Sequence, residues 1–243
     1  MHSFYSFLII FLLNFLADAQ QNLFNIPSGD ITPQGRVFYQ HQINAYTINN
    51  YESKSHFVIG VLKSKAEVGI NIVNIPLQFQ KSPTTTINDN INLYPLYPAI
   101  LFTAQYKSKI SSNFYSNIGT QTGFNYTSNK NNIKLLQFHY ALLKYEPKPN
   151  YKFMVGTYYG NKYFIGKDEL GLLAGYEIPL NKNFYLMGDF ISGKNNNSVT
   201  VIGGMVNITK RIQICAGGLL PFPNSKNKYG FVLELNLLNY NLN

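Results

Sequence analysis

From position 35 onward, apolar and polar residues alternate with a period of two. Within 66–74, Val68, Ile70 and Ile72 share one face, and Glu67, Gly69 and Asn71 share the other. Within 170–178, Leu170, Leu172, Ala174, Tyr176 and Ile178 fall together, with Glu177 among the residues opposite. Within 184–192, Phe184, Leu186, Gly188 and Phe190 stand opposite Asp189. Within 229–237, Tyr229, Phe231, Leu233, Leu235 and Leu237 stand opposite Glu234 and Asn236. Side chains of a strand point alternately to its two faces, so each segment reads as a strand with one apolar and one mixed face. About twelve such segments follow, at 35–46, 52–62, 65–75, 98–109, 112–124, 133–145, 150–160, 169–180, 183–193, 198–208, 210–220 and 228–239, divided by Asn, Lys, Pro and Gly. The second has the weakest pattern, with Glu52, Lys54 and His56 near its start. The tenth is apolar on both faces, as a strand against a filled interior would be.

The connections carry a separate signal. Odd-numbered ones are long, including 76–97, 125–132, 161–168, 193–197 and 221–227; even-numbered ones are short, at 63–64, 110–111, 146–149, 181–182 and 209. Transmembrane barrels have short turns at one end and longer loops at the other. Their strands need about 9–11 residues to cross a bilayer, against about 5–6 in soluble sheets. The predicted fold is therefore all-β: a transmembrane antiparallel up-and-down β-barrel of about twelve strands over 35–243, or ten if the second and tenth segments fail. Tyr and Phe at segment ends, such as Tyr106, Phe114, Tyr145, Phe184 and Tyr240, suit the interfacial girdles of such a barrel.

Ahead of the barrel, residues 4–16 are almost wholly apolar and lead into Ala17-Asp18-Ala19. The length suits the h-region of a signal peptide, predicting a helical leader over 1–19 cleaved near Ala19, although Met-His-Ser brings no Lys or Arg. Residues 20–34, with Pro27, Gly29 and Pro33, then form a periplasmic tether or a plug. This export signal and barrel together predict the outer membrane of a Gram-negative bacterium, with outer-membrane lipid and the barrel-assembly machinery as partners. The chain ends Asn239-Tyr240-Asn241-Leu242-Asn243, so the aromatic residue read by that machinery is not terminal.

Composition narrows the function classes. The net charge is +9, but the lysines are scattered through predicted turns and form no basic run interleaved with aromatics, which argues against nucleic acid. A single cysteine, Cys215, excludes an internal disulfide and a paired-cysteine metal site. Charged residues make up only 13% of the chain and aromatics 15%, a balance that suits strands and polar turns better than helices.

A family resemblance rests on several short motifs. Leu23-Phe24-Asn25-Ile26-Pro27-Ser28-Gly29-Asp30, followed by Pro33-x-Gly35 and an aromatic strand, resembles the opening of a group of uncharacterised bacterial outer-membrane β-barrels. Ala66–Asn71 is similar to their second hairpin. Gly188-Asp189-Phe190-x-Ser192-Gly193 is similar to a recurring segment, and Pro221-x-Pro223-Asn224 with Tyr229-Gly230 to the last hairpin. The resemblance implies an outer-membrane location and a porin-like or transporter-like role. It carries no substrate, cofactor or catalytic residue.

The mixed faces supply the candidate chemistry. Glu67, Asn71, Glu177, Asp189, Glu234 and Asn236 are expected to line the lumen, with Arg36, Lys134 and Arg211 as counter-ions. Glu177 and Asp189, on adjacent segments, are expected to be near neighbours. His41, His56 and His139 lack a second ligand at metal spacing and a nucleophilic partner, so neither a metal, a cofactor nor an enzyme is expected. Three functions stay open: a passive channel or small-solute transporter, a plugged structural or adhesin-type barrel, and a soluble secreted barrel binding an apolar ligand. Twelve strands fall between eight, which side chains fill, and sixteen to eighteen, which leave an aqueous channel.

Overall fold

The computed structural model describes residues 22–79, 83–225 and 227–241. The expected signal helix lies outside them. Among the described residues, the barrel strands are β1 (Arg36–Thr47), β2 (Asn50–Val61), β3 (Ala66–Phe79), β5 (Ala99–Lys109), β6 (Phe114–Asn125), β7 (Leu135–Tyr145), β8 (Lys152–Gly160), β9 (Leu170–Pro179), β10 (Phe184–Ile191), β11 (Val199–Asn207), β12 (Ile212–Pro221) and β13 (Gly230–Asn241). A three-residue strand, β4 (Pro83–Thr85), pairs only with the end of β3. Every barrel strand is antiparallel to its neighbours in sequence, and β1 pairs with β13, so the sheet closes on itself as a twelve-stranded barrel. Closure leaves no unpaired edge. The strands follow the predicted segments to within a few residues, and both doubtful segments are strands.

One connection departs from the predicted alternation. β1 and β2 are joined through Ile48 and Asn49 alone, because both strands extend into the residues expected to form a loop. The third connection also differs: β3 continues through Pro76 and Gln78 to Phe79 and pairs there with Pro83–Thr85, extending the sheet beyond the rim.

The outward face is apolar. Phe102 is 64% exposed, Ile118 59%, Leu172 56% and Phe231 74%. Toward the short-turn end, Tyr106, Phe114, Tyr145, Phe153, Phe184 and Tyr240 stand exposed, and the rings of Phe114 and Tyr145 stack at 4.7 Å. Polar groups on this face pair with one another: His139 Nδ1 lies 2.8 Å from Thr120 Oγ1, and His41 Nδ1 lies 2.9 Å from Ser55 Oγ. The inward faces of β1, β3 and β6 are polar, whereas β7 to β12 contribute Leu136, Phe138, Leu173, Met187, Val201 and Leu219 to a buried apolar cluster.

Candidate functional site: the filled lumen

What these inward faces enclose is the chain's own N-terminal segment. Residues 22–27 form a tight turn inside the barrel, with Asn22 bridged to Pro27 and Leu23 N–H donating to Ile26 O at 2.9 Å. The turn places Leu23, Phe24 and Ile26 in the apolar cluster, each 2% exposed or less. The segment is thus half apolar, with its apolar side chains set against the apolar part of the wall. The wall makes room for it at two glycines. A Cβ on Gly175 would overlap Leu23 Cδ1 and come within 2.9 Å of Ile26 Cδ1. A Cβ on Gly60 would overlap the carbonyl oxygens of Thr32 and Pro33, where Gln34 runs parallel to the wall.

Asp30 anchors the segment electrostatically. Its carboxylate lies 2.7 Å from Lys144 Nζ, 2.8 Å from Lys152 Nζ and 3.3 Å from Lys107 Nζ. Lys152 also pairs with Glu177 at 2.9 Å, and Lys144 with Glu146 at 3.3 Å. Three ammoniums therefore meet three carboxylates, and Lys144 and Lys152 are 0% and 1% exposed. Buried charges demand such pairing, since an uncompensated ion in a low dielectric costs several kcal/mol. Burial by itself raises the Asp30 carboxyl pKa, but Lys152, Lys144 and Lys107 outweigh it and hold it well below the usual carboxylate range.

Backbone groups of the segment are satisfied by the wall. Asn25 N–H and Ile26 N–H both donate to Asp189 Oδ2, the latter at 3.2 Å. Glu67 Oε2 accepts from Thr32 N–H and Thr32 Oγ1, each at 2.9 Å. Gln105 Nε2 donates to Asp30 O at 2.8 Å, and Asn117 Nδ2 to Gly29 O at 3.0 Å. Where the segment meets β1, Gln34 clamps the turn Leu62–Ser64: Lys63 N–H donates to Gln34 Oε1 at 2.7 Å, and Gln34 N–H to Ser64 Oγ at 2.7 Å. Leu62, Lys63 and Ser64 all hold positive φ, of 51°, 56° and 62°. Such a run is unfavourable for L-residues unless external contacts impose it.

All six residues expected to line the lumen are buried, at 5% exposure or less. Glu67 and Asp189 hold the N-terminal segment, Glu177 holds Lys152, and Glu234 accepts from Asn236 Nδ2 at 2.9 Å. Asn71 bonds His56. Glu177 is in register with Met187 and Asp189 with Gly175, so the two acids are diagonal neighbours committed to different partners. The expected counter-ions stand elsewhere. Arg36 reaches Asn239 O at 3.4 Å, Lys134 reaches Asn131 O at 3.5 Å, and Arg211 lies over the Tyr240 ring at 5.4 Å. All three sit at strand ends, where carbonyls and rings are closer than the lumen acids. The cations that do the pairing, and Asp30 itself, were not picked out by alternation. Lys144 shares its face with Leu136, Phe138, Tyr140 and Leu142, so pattern alone marks that face as apolar.

The loop end is partly covered. A helical turn, Lys162–Ile165, capped by Asn161 Oδ1 accepting from Phe164 N–H at 3.2 Å, folds inward and buries Phe164 and Ile165. Leu96 N–H donates to Tyr163 O at 2.8 Å, and Asn196 N–H to Ile165 O at 3.0 Å, tying three loops together over the mouth. Among the described residues, no group of three His, Cys, Asp or Glu could hold a metal.

Fold and interior together define a closed twelve-stranded antiparallel β-barrel whose lumen is filled by its own N-terminal segment. No family model and no curated protein matches the chain.

Proposed function

We propose that this protein is an outer-membrane β-barrel held closed at rest by residues 22–34, passing small solutes only when that segment leaves the lumen. The observation that carries the reading is the burial of Asp30 among Lys107, Lys144 and Lys152. A continuous water-filled pore would leave those ammoniums wetted, and Lys144 and Lys152 are almost wholly inaccessible. The apolar outer face and its exposed rings at the turn end support the membrane environment, since soluble monomers rarely expose so large an apolar surface. They weigh equally against a soluble barrel binding an apolar ligand, which would invert the two faces. Export, lipid contact and assembly by the barrel machinery belong to the same reading.

The test is planar-bilayer recording of the refolded protein. The intact chain is expected to be silent, and a variant lacking residues 22–34 to conduct. Steady conductance of the intact chain would refute the closed state. Silence of both forms would refute the passage.

A further inference from the structure

Above the N-terminal segment, at the loop end, lies a cavity of about 360 Å³. That volume is at the low end of the range of about 300–1,000 Å³ typical of small-molecule sites. Its walls come from β1, β2 and β3, from three of the loops and, through Ile191, Val199 and Leu219, from β10 to β12, and its floor includes Asn25 of the lumen segment. The lining is dominated by side-chain amides, among them Asn44, Asn50, Asn74, Gln78, Asn196 and Asn197. Tyr46, Tyr51 and Tyr97 add ring surface.

We propose that this vestibule binds a neutral carbohydrate of one or two rings, with Asn25 as the point where the sugar touches the plug. A side-chain amide carries two donors and an acceptor side by side, which matches hydroxyls that donate and accept at neighbouring carbons. Among the described residues, the side chains of Asn50, Asn74, Gln78 and Asn197 make no hydrogen bond to the protein, so they are available to a ligand. The charges present largely neutralise one another: Lys54 Nζ lies 3.6 Å from Glu52 and donates to Asn25 Oδ1 at 3.2 Å. That leaves only the exposed Lys228, too little to select an anion. An apolar ligand would strand the amides without partners. The tyrosine bodies can cover the C–H faces of a sugar ring while the amides engage its edge. The proposal rests on the preceding reading only in taking the loop end as the open mouth.

The test is isothermal titration of the full chain, refolded in the sugar-free detergent lauryldimethylamine oxide, with glucose, maltose and cellobiose. Sodium phosphate and trialanine serve as the anionic and peptide comparators. Saturable heat is expected with at least one sugar and with neither comparator. Asn74→Ala combined with Asn197→Ala should weaken the sugar about tenfold or more, as the loss of two hydrogen-bonding groups implies. Heat-modifiable gel migration checks that the variant barrel is folded, and Gln78→Ala serves as a second variant if it is not. Three results would overturn the proposal: no heat with any of the three sugars, sugar heat unchanged in the folded variant, or equal binding of phosphate or trialanine. A silent barrel that binds no sugar removes the vestibule alone; a conducting barrel that binds sugar removes the closed state alone.

Discussion

Replacing Asp30 by Asn tests whether charge holds the plug. The substitution keeps the shape of the side chain and removes one negative charge from a site where Lys144, Lys152 and Lys107 lie at 2.7, 2.8 and 3.3 Å. Glu177 still compensates Lys152, and the partly exposed Glu146 still reaches Lys144. One positive charge is left over in a nearly dry interior. Removing one partner of a buried pair costs about 3–5 kcal/mol. The wall remains folded through its own hydrogen-bonded ladder, so the cost falls mainly on docking of residues 22–34. At about 1.4 kcal/mol per tenfold, the undocked population should rise roughly 10²- to 10⁴-fold. The assay is single-channel recording paired with limited proteolysis of the N-terminal segment in detergent. Frequent openings and faster cleavage are expected. Adding Lys107→Met should return the variant toward the closed state, because the Lys152–Glu177 and Lys144–Glu146 pairs then balance. An Asp30→Asn barrel as silent and protease-resistant as the intact chain would refute electrostatic anchoring. Failure of Lys107→Met to rescue would show that the loss lies in the direct bonds of Asp30 to Lys144 and Lys152 rather than in the surplus charge.

Three further outcomes follow from the same geometry. Gly175→Val forces a side chain into Leu23 and Ile26; overpacking of about 1–3 kcal/mol should loosen the segment and raise its proteolysis without unfolding the barrel. Ile118→Lys places a charge at mid-strand on the apolar outer face, and should lower folding stability in lipid vesicles by about 2–4 kcal/mol; an unchanged midpoint of urea unfolding would count against lipid contact. For acid, the sign is fixed by Asp30, whose carboxyl is depressed below its ordinary 3.8. Its stabilisation is complete above that value and is lost only as pH falls through the still lower docked value, so the barrel should stay closed from about pH 8 to about pH 4. Lys107, Lys144 and Lys152 face this carboxylate directly, and Glu177 and Glu67 are its acidic neighbours. Conductance appearing in mildly acidic buffer would place the controlling group elsewhere.

Much of the wall was legible because alternation is a local property. The run Val68, Ile70, Ile72 opposite Glu67 and Asn71 gives the facing of β3, and the run from Tyr229 to Leu237 gives that of β13. The tenth segment, apolar on both faces, pointed to a filled interior, and Val199, Val201 and Met205 do line one. The first hairpin was misread because alternation weakens near a polar turn, so the strand ends at Thr47 and Asn50 carried no mark. The counter-ions were misassigned because pairing follows register and strand tilt, which bring Lys144 and Lys152, flanking one turn, to the same carboxylate.

The sequence by itself determined the all-β barrel class with ten or twelve strands, the inward placement of the acids and the alternation of most turns and loops. Each depends on residues near one another in the chain. Only the tertiary structure decided that Leu23, Phe24, Ile26 and Asp30 occupy the lumen. Leu23 and Ile26 meet Gly175, and Asp30 meets Lys107, Lys144 and Lys152, across separations of more than seventy residues. The free energy of those contacts exists only once the barrel has closed around them.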